Sequence, residues 1–119
     1  MHRDLSPSEL DTLIRMIEVL PEPLRGQLLA QVPFVSASDG LPGELRLSVE
    51  RSAPRADVKD GVLPVSGLAR TQDGRPIGHF TIWMSDGRFF SLDLGWVTEQ
   101  VPDELPPIGS LEVRWHGEG

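Results

Sequence analysis

The chain has 119 residues, a formal net charge of −7, 39% hydrophobic and 24% charged residues, and no cysteine. That balance fits one globular domain with a buried core and excludes a disordered chain, a disulfide scaffold and thiolate or zinc–thiolate chemistry. The ten arginines are scattered and Lys59 is the single lysine, so no basic patch offsets the acidic total. Such a chain repels a nucleic-acid backbone, and if it has a macromolecular partner, a basic protein suits it.

The N-terminus, MHRDLSPSEL, places an acid at Asp4 and a helix start at Ser6, leaving no apolar run for a secretory signal. No segment approaches the roughly 18 consecutive apolar residues of a membrane span. The expectation is a cytoplasmic protein with neither a membrane nor a nucleic acid as partner.

Ser6-Pro7-Ser8-Glu9 has capping-box spacing, with Pro7 at the first helical position, and Leu5 and Leu10 stand where a hydrophobic staple closes. Leu10, Leu13, Ile14, Ile17 and Leu20 recur at helical spacing, which predicts an amphipathic helix packed on a core. Pro21 stops it. Pro23 to Gln31 reads as a second, shorter helix, weakened by Gly26 and closed by Pro33.

Beyond Phe34 the period changes. Phe34-Val35 reads as a short strand and Glu44 to Glu50 as a half-buried one with Leu45, Leu47 and Val49 inward. Arg51 to Gly61 is a loop. Val62 to Thr71 is a weaker strand that Pro64 confines to an edge or a bulge. Further strands are expected at Ile77 to Met84, Arg88 to Val97 and Ser110 to His116, with an acidic, proline-containing loop from Thr98 to Pro107. The predicted fold is a single α+β domain over residues 1–119: two N-terminal helices on one face of a four- to five-stranded antiparallel meander.

Asp86-Gly87 marks a hairpin. A two-residue loop there would put Trp83 opposite Phe90 and Phe80 opposite Asp93, mixing apolar and polar side chains on each face. A three-residue loop, Ser85 to Gly87, instead pairs Ile82 with Phe90, Phe80 with Leu92 and Gly78 with Leu94 on an apolar face that Trp96 continues. The other face then carries Trp83 with Phe89, Thr81 with Ser91, and His79 with Asp93. This register is the expected one.

Chemistry-bearing motifs are sparse. His79 with Asp93 is a weak polar-face candidate for an acid–base couple, but a flat strand face lacks the strained nucleophile turn and oxyanion hole of a hydrolase. His2, His79 and His116 have no metal-ligand spacing, and no nucleotide-binding or calcium-loop pattern occurs. No catalytic, cofactor-binding or metal-binding residue is assigned. The candidate partner surface is Trp83 with Phe89, flanked by Glu99, Asp103 and Glu104, because aromatics anchor interfaces and acids steer a basic partner.

The segments LIRMIEVLPEPLRGQLLAQVPFV and DGRFFSLDLGWVTEQVPDELPPIGSLEV together resemble a group of small uncharacterised single-domain proteins from GC-rich bacteria. The ten-to-one excess of arginine over lysine and the absence of Asn and Tyr fit such a genome. The matching residues are packing and turn residues, so the resemblance implies a fold and no activity. Three readings stay open: a non-enzymatic interaction module, immunity- or inhibitor-like towards a basic partner; a small-molecule binder or weak enzyme with a pocket between helices and sheet; and a homodimer formed through the Trp83 face or an edge strand.

Overall fold

A computed structural model describes residues 2–40, 43–97 and 108–117. Among these residues two helices, α1 (Pro7–Glu18) and α2 (Leu24–Gln31), precede a short 3-10 turn (Val32–Phe34) and seven strands. These are β1 (Val35–Asp39), β2 (Glu44–Val49), β3 (Gly61–Val62), β4 (Val65–Arg70), β5 (Pro76–Ser85), β6 (Arg88–Trp96) and β7 (Ser110–Trp115). The class is α+β with an antiparallel sheet, as expected.

Helix α1 starts as its sequence dictates. The Ser6 side chain accepts from the Glu9 amide, the Glu9 carboxylate accepts from the Ser6 amide at 2.8 Å, and Pro7, having no N–H, needs no acceptor. Glu9 has a second task. Arg3 grips it through two hydrogen bonds, 2.8 and 2.9 Å, and reaches Asp39 at 2.9 Å. The arginine hydrogen bonds hold the Glu9 carboxyl below its ordinary range. The contribution of this pair to stability is therefore present above the unfolded carboxyl pKa and lost as pH falls through the folded one. Backbone bonds between Arg3 and Ala37 fix the same segment along β1. The buried stripe is turned slightly from the expected one: Met16 is fully buried and Ile14 only half so.

The sheet corrects the expected meander. Its order is β1-β2-β6-β5-β4-β7, with β3 also paired to β5. β1 with β2 and β4 through β6 are consecutive neighbours; β2 joins β6 and β7 joins β4 by crossovers. Seven strands replace the expected four to five for two local reasons. Serine and aspartate in VSASD gave no alternation to read, yet β1 pairs along its whole length with β2. Pro64 cannot donate, so the strand expected from Val62 to Thr71 splits into β3 and β4 around Leu63-Pro64, with Leu63 turned into the core.

The hairpin register also differs. Ser85 pairs with Arg88, so the loop has two residues, Asp86 and Gly87, at φ 54° and 70°. Two positive φ values make a type I′ turn, whose twist matches that of the strands. The face-mixing that counted against this register is removed by a bulge: Met84 pairs with Phe89 but Trp83 with Ser91, leaving Phe90 extra. One inserted residue flips the alternation, so Phe89 below the bulge and Leu92 and Leu94 above it are all buried. They join Phe80, Ile82 and the helix residues Leu13, Met16, Ile17 and Leu28 in one hydrophobic cluster.

Candidate functional site

The face of β5 and β6 turned away from that cluster carries His79, Thr81 and Trp83 beside Gly95, Asp93 and Ser91. The bulge re-pairs all of them. Trp83 lies opposite Ser91, Thr81 opposite Asp93 and His79 opposite Gly95. The expected His79–Asp93 and Trp83–Phe89 cross-strand pairs are therefore corrected. Phe89 is 3% exposed and belongs to the core, whereas Phe90, expected in the core, is 48% exposed. Trp83 remains 40% exposed, and Val62, its partner across β3 and β5, is 48% exposed.

Residues 51–60 cover the hairpin turn rather than Trp83. The Ala56 amide donates to the Gly87 carbonyl at 2.8 Å, Arg55 pairs with Asp86 at 2.7 Å, and Asp60 accepts from the Asp86 amide at 2.8 Å. Gln31, at the end of α2, is fully buried behind the turn.

Asp93 is the electrostatic feature of the exposed face. Glu44 on β2 lies directly opposite it. Glu44 is balanced by Arg46, 2.6 Å away, but Asp93 has no ion pair among the described residues, and its Oδ1 is buried without a hydrogen-bond partner. Burial raises the Asp93 carboxyl above its ordinary range, with Glu44 adding to the rise; the Ser91 hydroxyl, Arg46 and the Trp83 indole oppose it and do not cancel it.

A carboxyl held above its unfolded pKa binds its proton more tightly in the folded chain. The ionised form thus costs stability at neutral pH, and that cost disappears as pH falls below the unfolded value. Asp93→Asn is expected to raise the urea midpoint at pH 7 and to have no effect near pH 3. An unchanged or lower midpoint at pH 7 would contradict this account of the site.

An open concavity of about 630 Å³ lies over these residues, lined by Glu44, His79, Thr81, Trp83, Asp93 and Gly95 among others. The flanking acids Glu99, Asp103 and Glu104 lie outside the described residues. Among the described residues no group of three or more His, Cys, Asp or Glu is placed to hold a metal ion, and no helix is long and apolar enough to cross a membrane.

Sequence reasoning missed a second polar pair. Ser66 Oγ on β4 and His116 Nε2, just past β7, are 2.7 Å apart. The pairing of β4 with β7 creates this contact between residues far apart in the chain, so no local signal announces it. Both residues are solvent-accessible, and no carboxylate orients the histidine among the described residues, so the pair lacks the third member of a hydrolytic triad. No protein-family model, curated protein or solved structure matches this chain.

Proposed function

We propose that the protein is a non-enzymatic binding module that engages a basic protein partner through the face of the sheet bearing Trp83, in the manner of an immunity or inhibitor protein. The helices then occupy the opposite face, and the module acts in the cytoplasm as one of the small bacterial proteins its two segments resemble. The observation carrying this reading is the grouping of exposed large side chains: Val62 and Trp83 form a cross-strand pair, and Phe90 stands beside Ser91, the residue opposite Trp83. Exposed aromatics on a rigid sheet are what interface hot spots are made of. The net charge of −7 favours a basic partner by steering it and by repelling acidic ones. A ligand pocket between helices and sheet has less in its favour, because Leu13, Met16, Ile17 and Leu28 are fully buried within the core cluster.

The test is affinity capture from native host lysate with the wild type, Trp83→Ser and Phe90→Ser. Both side chains are exposed, so both variants are expected to fold. The wild type captures a basic protein, and each variant holds it at least about tenfold less tightly, the scale of a hot-spot aromatic. Equal capture by all three forms would remove the aromatic surface from the proposal. Self-association of the wild type alone, read by sedimentation, would replace the basic partner with a second copy of the chain.

A further inference from the structure

Gly95 faces the same side of the sheet as Asp93 and lies directly opposite His79. A methyl group built on Gly95 would meet nothing nearer than the His79 carbonyl oxygen, at 3.8 Å. The missing side chain therefore leaves a depression where its neighbours along the row project. Trp83, Thr81 and His79 on β5 lie on one side, Glu44 on β2 lies on the other, and Asp93 stands between them on β6.

Like charges directly opposed across two strands cost stability, as does a buried carboxylate oxygen without a donor. Glu44 and Asp93 incur both costs. Threonine at position 93 would remove them. A cationic group entering the depression would offset the like-charge cost, and only the acid supplies it with a counter-charge. Among the described residues a metal ion does not fit, since two carboxylates and a single imidazole line the concavity and they form no metal-holding group.

The geometry points to the Gly95 depression as a socket for an arginine side chain of the basic partner, its guanidinium against the Trp83 ring and its N–H groups on Asp93. This rests on the binding-module reading. Guanidinium is favoured over ammonium because it is planar, stacks on an indole and presents parallel donors to a carboxylate, whereas a lysine amine is a compact, strongly hydrated point charge.

The socket is tested by titrating the isotope-labelled full chain with the blocked tripeptide acetyl-Gly-Arg-Gly-amide and with its lysine and citrulline counterparts. Saturable shifts are expected at the Trp83 indole N–H and at the amides of His79, Asp93 and Gly95. Gly95→Val, which fills the depression with a strand-favouring residue, and Asp93→Asn are each expected to weaken the arginine peptide at least about tenfold, as is replacing arginine by citrulline. Should Gly95→Val fail to fold, Asp93→Asn carries the same comparison.

No shift with the arginine peptide overturns the socket. So does equal binding of citrulline or lysine, or binding unaffected by both substitutions. Partner capture that is lost with Trp83→Ser but kept with Gly95→Val and Asp93→Asn would retain the module and remove the socket. No capture by any form would remove the reading on which both rest.

Discussion

Gln31→Leu is expected to lower the stability of the protein by about 2–4 kcal/mol, although leucine has similar volume and suits a core. The Gln31 side chain is fully buried and makes three bonds to backbone. Its Nε2 donates to the Pro54 and Gly87 carbonyls at 3.0 and 2.7 Å, and its Oε1 accepts from the Phe89 amide at 3.4 Å. One side chain thus ties the end of α2 to the loop before β3, to the β5–β6 turn and to the start of β6. Leucine removes all three bonds and leaves the buried Phe89 amide without this partner; an unsatisfied buried group costs about 1–3 kcal/mol, and the lost bonds to the carbonyls add to it. Gln27 provides the control. Its Oε1 also accepts a backbone amide, from Asp57 at 2.9 Å, but at the exposed surface, where water replaces it. Gln27→Ala is expected to cost under about 1 kcal/mol. Urea midpoints read both, and hydrogen exchange should show the amides of residues 87–89 losing protection in Gln31→Leu. Equal effects of the two substitutions would refute the pinning role of Gln31.

Gly87→Ala is expected to cost at least about 2 kcal/mol, from two causes that act together. Its φ of 70° is one that residues with a Cβ rarely adopt, a strain of about 1–2 kcal/mol. An added Cβ would also come within 2.6 Å of the Ala56 carbonyl oxygen and 3.1 Å of the Arg55 Cβ, so the 51–60 loop must withdraw. Withdrawal breaks the Ala56–Gly87 hydrogen bond and strains the Arg55–Asp86 pair. Gly74 separates the causes. Its φ is 86°, but nothing lies within 4 Å of an added Cβ. Gly74→Ala should therefore show the conformational cost alone, about 1 kcal/mol. If the two alanine variants lose equal stability, the loop does not press on the turn as described. Gly87→Ala should also leave Trp83 accessible, since the loop covers the turn and not the tryptophan.

Both predictions concern contacts between segments distant in sequence, and this is where sequence reading ended. The local signals were sound. Ser6 to Glu9 specified the start of α1, since a capping box needs only residues three apart. Pro21 and Pro33 bounded the helices because proline's constraints act on its own neighbours. The alternation of Glu44 to Glu50 placed Leu45 and Leu47 inward, as found.

The hairpin shows where local logic misled. Asp-Gly favoured the two-residue turn that forms, but the apolar pattern argued for a slip of one residue. The bulge at Phe90 satisfies both demands, and no pattern in GRFFSLDLGW marks which residue is extra. Phe89 and Phe90 are adjacent phenylalanines, so either one buries a ring. What marks Phe89 out is the Gln31 bond to its amide, which is not local.

The sequence by itself determined an acidic, cysteine-free α+β chain, its helix boundaries, most of its strands and the inward residues of β5, because caps, breakers and two-residue alternation are set by near neighbours. Tertiary structure alone decided the strand order, the pairing of β7 with β4, the exchange of Phe89 for Phe90 and the partners of Asp93. Those depend on which distant segments bring their hydrogen-bonding edges together, and a one-residue bulge is enough to change every pair beyond it.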